Sequence, residues 1–397
     1  MRANRLSVAA IAALAVVTSA FAADGLVPYG QISGEVGSYF DTAAAGNEIG
    51  VRSYASRFGL KGAADVGGVT AVYQLEAGFN PVNGANGIPG AALQDASSIT
   101  PSNGDDNTLA TRNTFVGVAG SFGTFVIGNH DTPYKIVARG AGAISNADTV
   151  ADLHLQTDRR LKGAVAYIAP ADALGGVTVA VAVVPVKSGA SGGGDLYIDP
   201  VYGNIPADGN VTGIDWGYTS SSYKDNSGFH YSIGVLAPIG DSGLTIGAGY
   251  ESAYVAVYDD TIDSFFGAVN FKQDAFSVGL GVEVVTAGDD IGKDLGTTTF
   301  ILPVGVNLDD GLYINAGVKL TQFDKAGAAP LTNTVGVADP DEAITQVGLS
   351  FGKKWGKNLD AYVGGKFTSA KNKVIGTGAD AKKSATDFGF GLKVAFN

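Results

Sequence analysis

Basic and apolar side chains alternate in two short stretches of the sequence, so they lie on opposite faces wherever the chain is extended. The basic faces carry Arg57, Lys61, Arg160 and Lys162, and the apolar faces carry Phe58, Leu60, Leu161 and Val165. A row of fixed positive charge does not by itself make or break bonds. It attracts anions, orders water and orients dipolar solutes, so the chemistry it favours is electrostatic selection.

The residue types that catalysis or metal binding needs are absent or scattered. The chain has no Cys, and its three His, at positions 130, 154 and 230, have no partner at metal-ligand spacing. We find no Ser-His-Asp order with a nucleophile elbow. The Gly-rich stretch 243–249 is not followed by a helix, which a phosphate-binding loop requires. We therefore expect no enzymatic activity, no cofactor and no metal, and we interpret the acidic loops as solvated.

Charge and composition restrict the partners and the fold class. The formal net charge is −12, which argues against binding to nucleic acid. Gly accounts for 58 of the 397 residues without a collagen period, and it sits within alternating apolar segments. Gly, Val and Thr with few Glu or Lys favour strands over helices, so we expect an all-β protein.

The first 22 residues have the features of a secretory signal peptide. Arg2 and Arg5 precede an apolar run over 8–17, and small residues at Ala20 and Ala22 occupy the two positions that signal peptidase reads. The run is shorter than the roughly 20 residues of a spanning helix. We expect cleavage after residue 22 and one exported domain over 23–397, in which the absence of Cys excludes disulfides.

Period-two alternation in segments of about ten residues is the dominant pattern of the chain. In the last segment one face carries Phe388, Phe390, Leu392, Val394 and Phe396, and the other carries Asp387, Gly389, Gly391, Lys393 and Asn397. A soluble sandwich also alternates, but a second face of small and charged residues suits a water-filled lumen, with the apolar face in lipid. Backbone groups in a bilayer all need partners, so such strands must close into a barrel. An Arg facing lipid near the midplane would cost about 2–4 kcal/mol, so Arg57 and Arg160 are expected to face water.

The connections between these segments alternate in length, as in bacterial outer-membrane barrels. Short ones fall near 65–68, 121–123, 272–275, 309–311 and 356–358, and long ones near 81–110, 131–158, 187–226, 324–341 and 371–383. We count seventeen strand-like segments, and a barrel with both ends on one side needs an even number. We assign the segment 211–223 to the fourth loop and predict a transmembrane antiparallel up-and-down β-barrel of sixteen strands, with eighteen as the alternative.

Two stretches go beyond generic alternation and resemble the trimeric general porins of Gram-negative bacteria. The first is Ser56-Arg57-Phe58-Gly59-Leu60-Lys61-Gly62, with Tyr73-Gln74-Leu75-Glu76 after it. The second is Thr111-Arg112-Asn113-Thr114-Phe115-Val116-Gly117-Val118, followed by Gly123-Thr124-Phe125-Val126-Ile127-Gly128. The resemblance is specific over about 24–170 and architectural beyond. It implies a homotrimer in the outer membrane, in contact with lipid and lipopolysaccharide, with the third loop folded into the lumen.

The same resemblance implies where the channel would be narrowest. Arg57, Arg112 and Arg160 match basic wall positions, with Arg159 as the register rival of Arg160, and Asp148 and Asp152 are candidate acids of the third loop, about 131–158. The predicted constriction comprises Arg57, Lys61, Glu76, Arg112, Arg159, Arg160, Asp148 and Asp152. The sequence departs from the family at Gln31 and at Asn129-His130, where basic residues occur in relatives, and it ends Phe396-Asn397 rather than on an aromatic residue.

These features predict a passive outer-membrane channel for ions and small hydrophilic solutes. The alternatives are a substrate-specific porin with a sugar or peptide site in the lumen, and a plugged structural or adhesive barrel. Tyr313 and Tyr362 point inward by alternation but form no obvious aromatic track. From the excess of acids over bases and the two missing basic residues, we expect a mild cation preference.

Overall fold

The computed structural model describes residues 25–41, 46–81, 110–143, 149–155, 157, 160–187, 227–255, 260–288, 296–323, 343–370 and 384–396. Most of these residues lie in strands. In chain order they are β1 (Gly25–Asp41), β2 (Gly46–Arg52 and Arg57–Asp65), β3 (Thr70–Gly78), β4 (Ala110–Thr111 and Thr114–Gly120), β5 (Gly123–Asp131), β6 (Arg160–Ile168), β7 (Thr178–Lys187), β8 (Ser227–Ile239), β9 (Leu244–Val255), β10 (Asp260–Gln273), β11 (Phe276–Ala287), β12 (Gly296–Asn307), β13 (Leu312–Phe323), β14 (Ala343–Trp355), β15 (Leu359–Ala370) and β16 (Ser384–Phe396). The helix α1 (Pro133–Gly140) follows β5, and single 3₁₀ turns occupy Ala171–Leu174 and Asp309–Gly311. None of the helices in these ranges is long and apolar enough to cross a membrane.

The strands form one closed antiparallel sheet. Each strand pairs with its neighbours in sequence, and residues 30–38 of β1 pair with residues 388–396 of β16. The other edge of β1 pairs with both segments of β2. Closure leaves no strand edge unpaired, which is what a barrel in a bilayer requires.

Two interruptions explain how eighteen strand segments make sixteen strands. β2 breaks over 53–56, where Ala55 adopts a φ of 51°, and β4 breaks at Arg112 and Asn113. On each side of a break the segments continue along the same neighbouring strand. The prediction of sixteen strands is therefore confirmed, while the segment 211–223, assigned to the fourth loop, lies outside the described residues.

The two faces of the sheet have the composition that the alternation predicts. On β1, Ile32 and Val36 are 46% and 49% exposed, whereas Ser33 and Glu35 between them are buried. The same holds on β16, where Phe390 is exposed and Asp387 is buried. Apolar residues thus cover the outside of the barrel over most of its strands, which suits contact with lipid and not with water.

The short connections lie at one end of the barrel, together with the start of β1 and the end of β16. They cover 66–69, 121–122, 169–177, 240–243, 274–275, 308–311 and 356–358. Exposed aromatic residues adjoin several of these turns, among them Phe122, Phe276 and Trp355. Aromatic rings at this level are typical of the girdle where a barrel meets the lipid headgroups. The connection from β5 to β6 leaves from the opposite end.

Candidate functional site

A first cluster of charge forms around Glu76 on the inner face of β3. Its carboxylate accepts a hydrogen bond from Arg112 Nε at 2.8 Å and lies 3.6 Å from Arg57 Nε. The Tyr29 hydroxyl of β1 donates at 2.9 Å to Oε2 of Glu76, the carboxylate oxygen that also faces Arg57. The register creates this contact, because Glu76 stands opposite Gly59, two residues from Arg57 on the same face of β2. Lys61 joins the edge of the cluster, with its Nζ 5.1 Å from the centre of the Tyr29 ring.

A second cluster forms around Asp131, the last residue of β5. Arg160 Nη2 lies 2.9 Å from its carboxylate, Lys135 Nζ lies 3.3 Å from it, and Arg139 Nη1 lies 3.8 Å from it. The Asn113 side chain completes the arrangement, since its amide donates to Asp131 and its oxygen accepts from Arg160 Nε. One carboxylate is therefore shared by three cations, one from the strand β6 and two from the helix α1.

The helix α1 brings two of these cations to the wall. Thr132 caps its N-terminus by accepting a hydrogen bond from Lys135 N at 3.0 Å, and Pro133 occupies the first turn, where its missing N–H is tolerated. Lys135 and Arg139 follow Asp131 by four and eight residues, so they lie on one side of the helix. Together the two clusters bring five cations to two carboxylates.

We call the connection 132–159 between β5 and β6 the L3 segment. Its helix packs on inner-face glycines of β8 and β9. A Cβ added at Gly234 would lie 2.5 Å from the Pro133 carbonyl oxygen, and one added at Gly247 would lie 2.5 Å from the Ala141 Cβ. Only glycine permits this approach, so the glycines of the inner face form the surface on which the helix rests.

Farther along the chain, the L3 segment contacts β13 and β14. A Cβ on Gly348 of β14 would collide with the Ala151 carbonyl oxygen, and one on Gly317 of β13 would lie 3.0 Å from Leu153. Tyr134, Leu153 and Leu155 belong to one buried apolar cluster with residues of β8, β10 and β12. The described parts of the segment thus lie mainly against the strands from β8 to β15, and Val150 packs beside Tyr39 of β1 and Tyr54.

Two buried wall glutamates hold the L3 segment by hydrogen bonds. Glu283 of β11 accepts from the Tyr134 hydroxyl at 2.7 Å and from Thr157 N at 2.9 Å. Glu35 of β1 accepts from Val150 N at 3.2 Å. Burial, followed by the charge of Glu283, raises the pKa of Tyr134 well above its usual value, so the hydroxyl remains a donor. Charge-assisted hydrogen bonds of this kind are the strong ones in a dry environment.

The structure brings together some of the residues that the sequence assigned to a constriction and separates others. Arg57, Glu76 and Arg112 share the first cluster, Lys61 adjoins it, and Arg160 lies in the second. Asp152 faces its own turn, where Thr149 donates to it from N and from Oγ1. Asp148 and Arg159 lie outside the described residues, as does the predicted signal peptide.

Sequence reasoning missed Asp131, Lys135 and Arg139. Their spacing of four residues, directly after a Thr-Pro helix start, is a helical signal that could have found them. The structure also shows the contacts of Gln31 and His130, which lie at the two positions where the sequence departs from the family. Gln31 donates to the Ala55 carbonyl oxygen at 3.1 Å, and His130 Nδ1 lies 2.9 Å from the Asp131 carbonyl oxygen. The basic residues missing there are matched in number by Lys135 and Arg139 on α1.

A closed sixteen-stranded barrel, apolar outside and charged inside, defines the class of bacterial outer-membrane channels. Residues 8–373 match the family model described as Gram-negative porin, and the chain belongs to that family. The fold is similar to the anion-selective porin from Comamonas acidovorans (TM-score 0.63, 16% identity, 94% of this chain and 99% of that chain). It is also similar to OmpF of Salmonella typhi in complex with daunomycin (0.61, 12%, 94% and 98%) and to the trimer form of OmpT from Vibrio cholerae (0.53, 16%, 94% and 99%).

A search of curated protein sequences gives no match to the chain. The resemblance to porins expected from the sequence is confirmed by the family match, and the barrel by the solved structures. The chain is therefore an outer-membrane diffusion channel and not an enzyme.

Proposed function

We propose that ions and small hydrophilic solutes diffuse past a constriction between the L3 segment and the wall of β2 to β6. The observation that carries this is the distribution of contacts around the barrel. The L3 segment packs mainly on β8 to β15 and touches β1 through Val150, whereas Arg57, Arg112 and Arg160 stand on the wall formed by β2, β4 and β6. The side chains of Arg57 and Arg139 keep 27% and 29% of their surface exposed, so water reaches them.

The charge of this wall favours anions. Five cations lie around two carboxylates, and a passing anion meets the guanidinium and ammonium groups of this wall. The similar porin of Comamonas acidovorans is anion-selective, which agrees with this inference. It is opposite to the expectation from net charge, because net charge counts every acid of the chain equally, whereas selection depends on the groups that line the channel.

Single-channel recording in a planar bilayer with a KCl gradient tests both parts of the proposal. We expect large ohmic steps and a reversal potential that reports chloride preference. A reversal potential of the opposite sign would support the cation preference inferred from composition. Block by a neutral sugar would instead favour a substrate-specific porin, and no current from folded protein would favour a plugged barrel.

We further propose that the protein works as a homotrimer after removal of residues 1–22. The continuous apolar outer face and the trimer form of the similar OmpT of Vibrio cholerae support the assembly. Mass measurement of the detergent-extracted protein, with subtraction of bound detergent, should give three chains. N-terminal sequencing of the same sample should begin at Ala23.

We also propose that the acidic loops bind lipopolysaccharide through bridging divalent cations. Release of lipopolysaccharide from the purified protein by a chelator tests this.

A further inference from the structure

An open chamber of about 350 Å³ lies between the L3 segment and the strands β10 to β16. Its wall includes residues close to the short turns, such as Lys272, Lys354 and Asp360, and Asp152 of the L3 segment lies at its other side. The chamber is therefore separate from the Glu76 and Asp131 clusters, which stand on β3 and β5. Its volume is within the range of small-molecule sites.

Three lysines from three strands line this chamber. They are Lys272 of β10, Lys354 of β14 and Lys393 of β16. The two carboxylates in the same lining already have partners. Tyr313 donates to Asp360 at 3.0 Å, and Thr149 donates twice to Asp152.

The register explains how the lysines are distributed. Asp360 is the backbone pairing partner of Lys354 on one neighbouring strand and of Lys393 on the other, so the three residues lie side by side across the sheet. Lys354 also lies over the Tyr313 ring, 5.0 Å from its centre, which fixes its direction. Within the described part of the chain, neither Lys272 nor Lys354 has a carboxylate within 4.0 Å of its ammonium group.

An independent feature of the lining also indicates a ligand. Ser350 is 1% exposed, and its Oγ has no hydrogen-bond partner among the described residues. A buried hydroxyl without a partner costs about 1–3 kcal/mol, so native structures usually supply one from protein, water or ligand. Asn270, Asn315 and Ser277 line the same chamber and add further donors.

We propose that this chamber is a binding subsite for small hydrophilic dianions, in which Lys272 and Lys354 contact the charge and Ser350 donates to it. The inference rests on the proposed function, since it assigns a solute class to the same channel. A dianion suits the site better than a monoanion because two ammonium groups without carboxylate partners face one chamber. The constriction would then select by charge, and this chamber would retain the selected solute on the short-turn side.

Sulfate is a suitable probe because it stays divalent over the working pH range. We expect sulfate added to KCl to reduce the single-channel current saturably, and titration calorimetry of the folded protein to give a matching dissociation constant. Lys272→Gln and Lys354→Gln should each weaken binding about five- to tenfold, because each removes one ammonium contact. Lys272→Arg should retain most of the affinity, and Ser350→Ala should weaken binding about threefold.

Lys353→Gln is the matched control. Lys353 precedes Lys354 on β14 but lies on the outer face, with its Nζ 5.8 Å from the centre of the exposed Trp355 ring. The same loss of charge there should leave sulfate affinity unchanged. Equal sulfate affinity in the wild type and both lysine variants would overturn the subsite, and so would equal weakening by Lys353→Gln. Absence of KCl current overturns the proposed function alone, since calorimetry still reports on the chamber.

Discussion

Replacement of Glu283 by alanine should release the L3 segment from β11. Both of its partners, the Tyr134 hydroxyl and Thr157 N, donate to the same carboxylate oxygen, at 2.7 and 2.9 Å. All three groups are almost fully buried, so the loss leaves two donors without an acceptor. A hydrogen bond to a charged group contributes about 1.5–3 kcal/mol, and the two together hold the segment by about 3–6 kcal/mol.

Glu283→Gln separates the charge from the geometry. The Gln oxygen can accept from both donors as a neutral group, so about half of the anchoring free energy should remain. At the lower limit of the range given for both hydrogen bonds, the alanine variant loses about 3 kcal/mol of anchoring free energy. This loss changes the ratio of attached to detached segment roughly 150-fold. The glutamine variant should change it roughly tenfold.

A spin label on α1 measures this directly. The chain has no Cys, so Ile136→Cys provides a unique attachment site on a half-buried position of the helix. We expect an immobile spectrum with Glu283, a mixed spectrum with Gln and a mobile one with alanine, together with rising current noise in the same order. An immobile label and quiet current in the alanine variant would show that Glu283 does not anchor the segment.

Two further changes test the packing and the charge of the proposed constriction. Gly348→Ala should displace the L3 segment, because the new Cβ would collide with the Ala151 carbonyl oxygen, and the single-channel conductance should change. Gly267→Ala is the control, because its new Cβ would meet nothing within 4 Å, and the conductance should stay unchanged. Arg139→Gln should shift the reversal potential in a KCl gradient by about a few millivolts towards the potassium equilibrium potential, because it removes one of the three cations around Asp131. An unchanged reversal potential would place Arg139 outside the ion path.

The fold could be predicted from the sequence because a barrel repeats one rule in every strand. Alternation alone assigned the outer and inner faces of β16 and of the strand that carries Arg57. The number of strands was harder, because β2 and β4 are interrupted where Ala55 and Arg112 leave the regular pairing. Such breaks show that a count of alternating segments has to be corrected by strand pairing.

The site was only partly predictable, for two physical reasons. Arg57 and Arg112 lie in stretches that resemble a known family, so their sequence context identified them. Glu283 is a single acid in a Gly-rich strand, and its partner Tyr134 is 149 residues away. Nothing local in the sequence joins such a pair, because the contact depends on the path of the L3 segment across the barrel.

Net charge and local charge lead to opposite expectations for ion selectivity, and the geometry explains why local charge should prevail. The chain carries −12 overall, but electrostatic attraction in salt decays over a Debye length of about 8–10 Å. An acid that lies more than this length from an ion in the channel therefore acts on it only weakly. Arg112 and Arg160 lie in the charge clusters of the barrel wall, and charge beside low-dielectric walls acts strongly on a nearby ion. The cations gathered around Glu76 and Asp131 should therefore decide which ions pass.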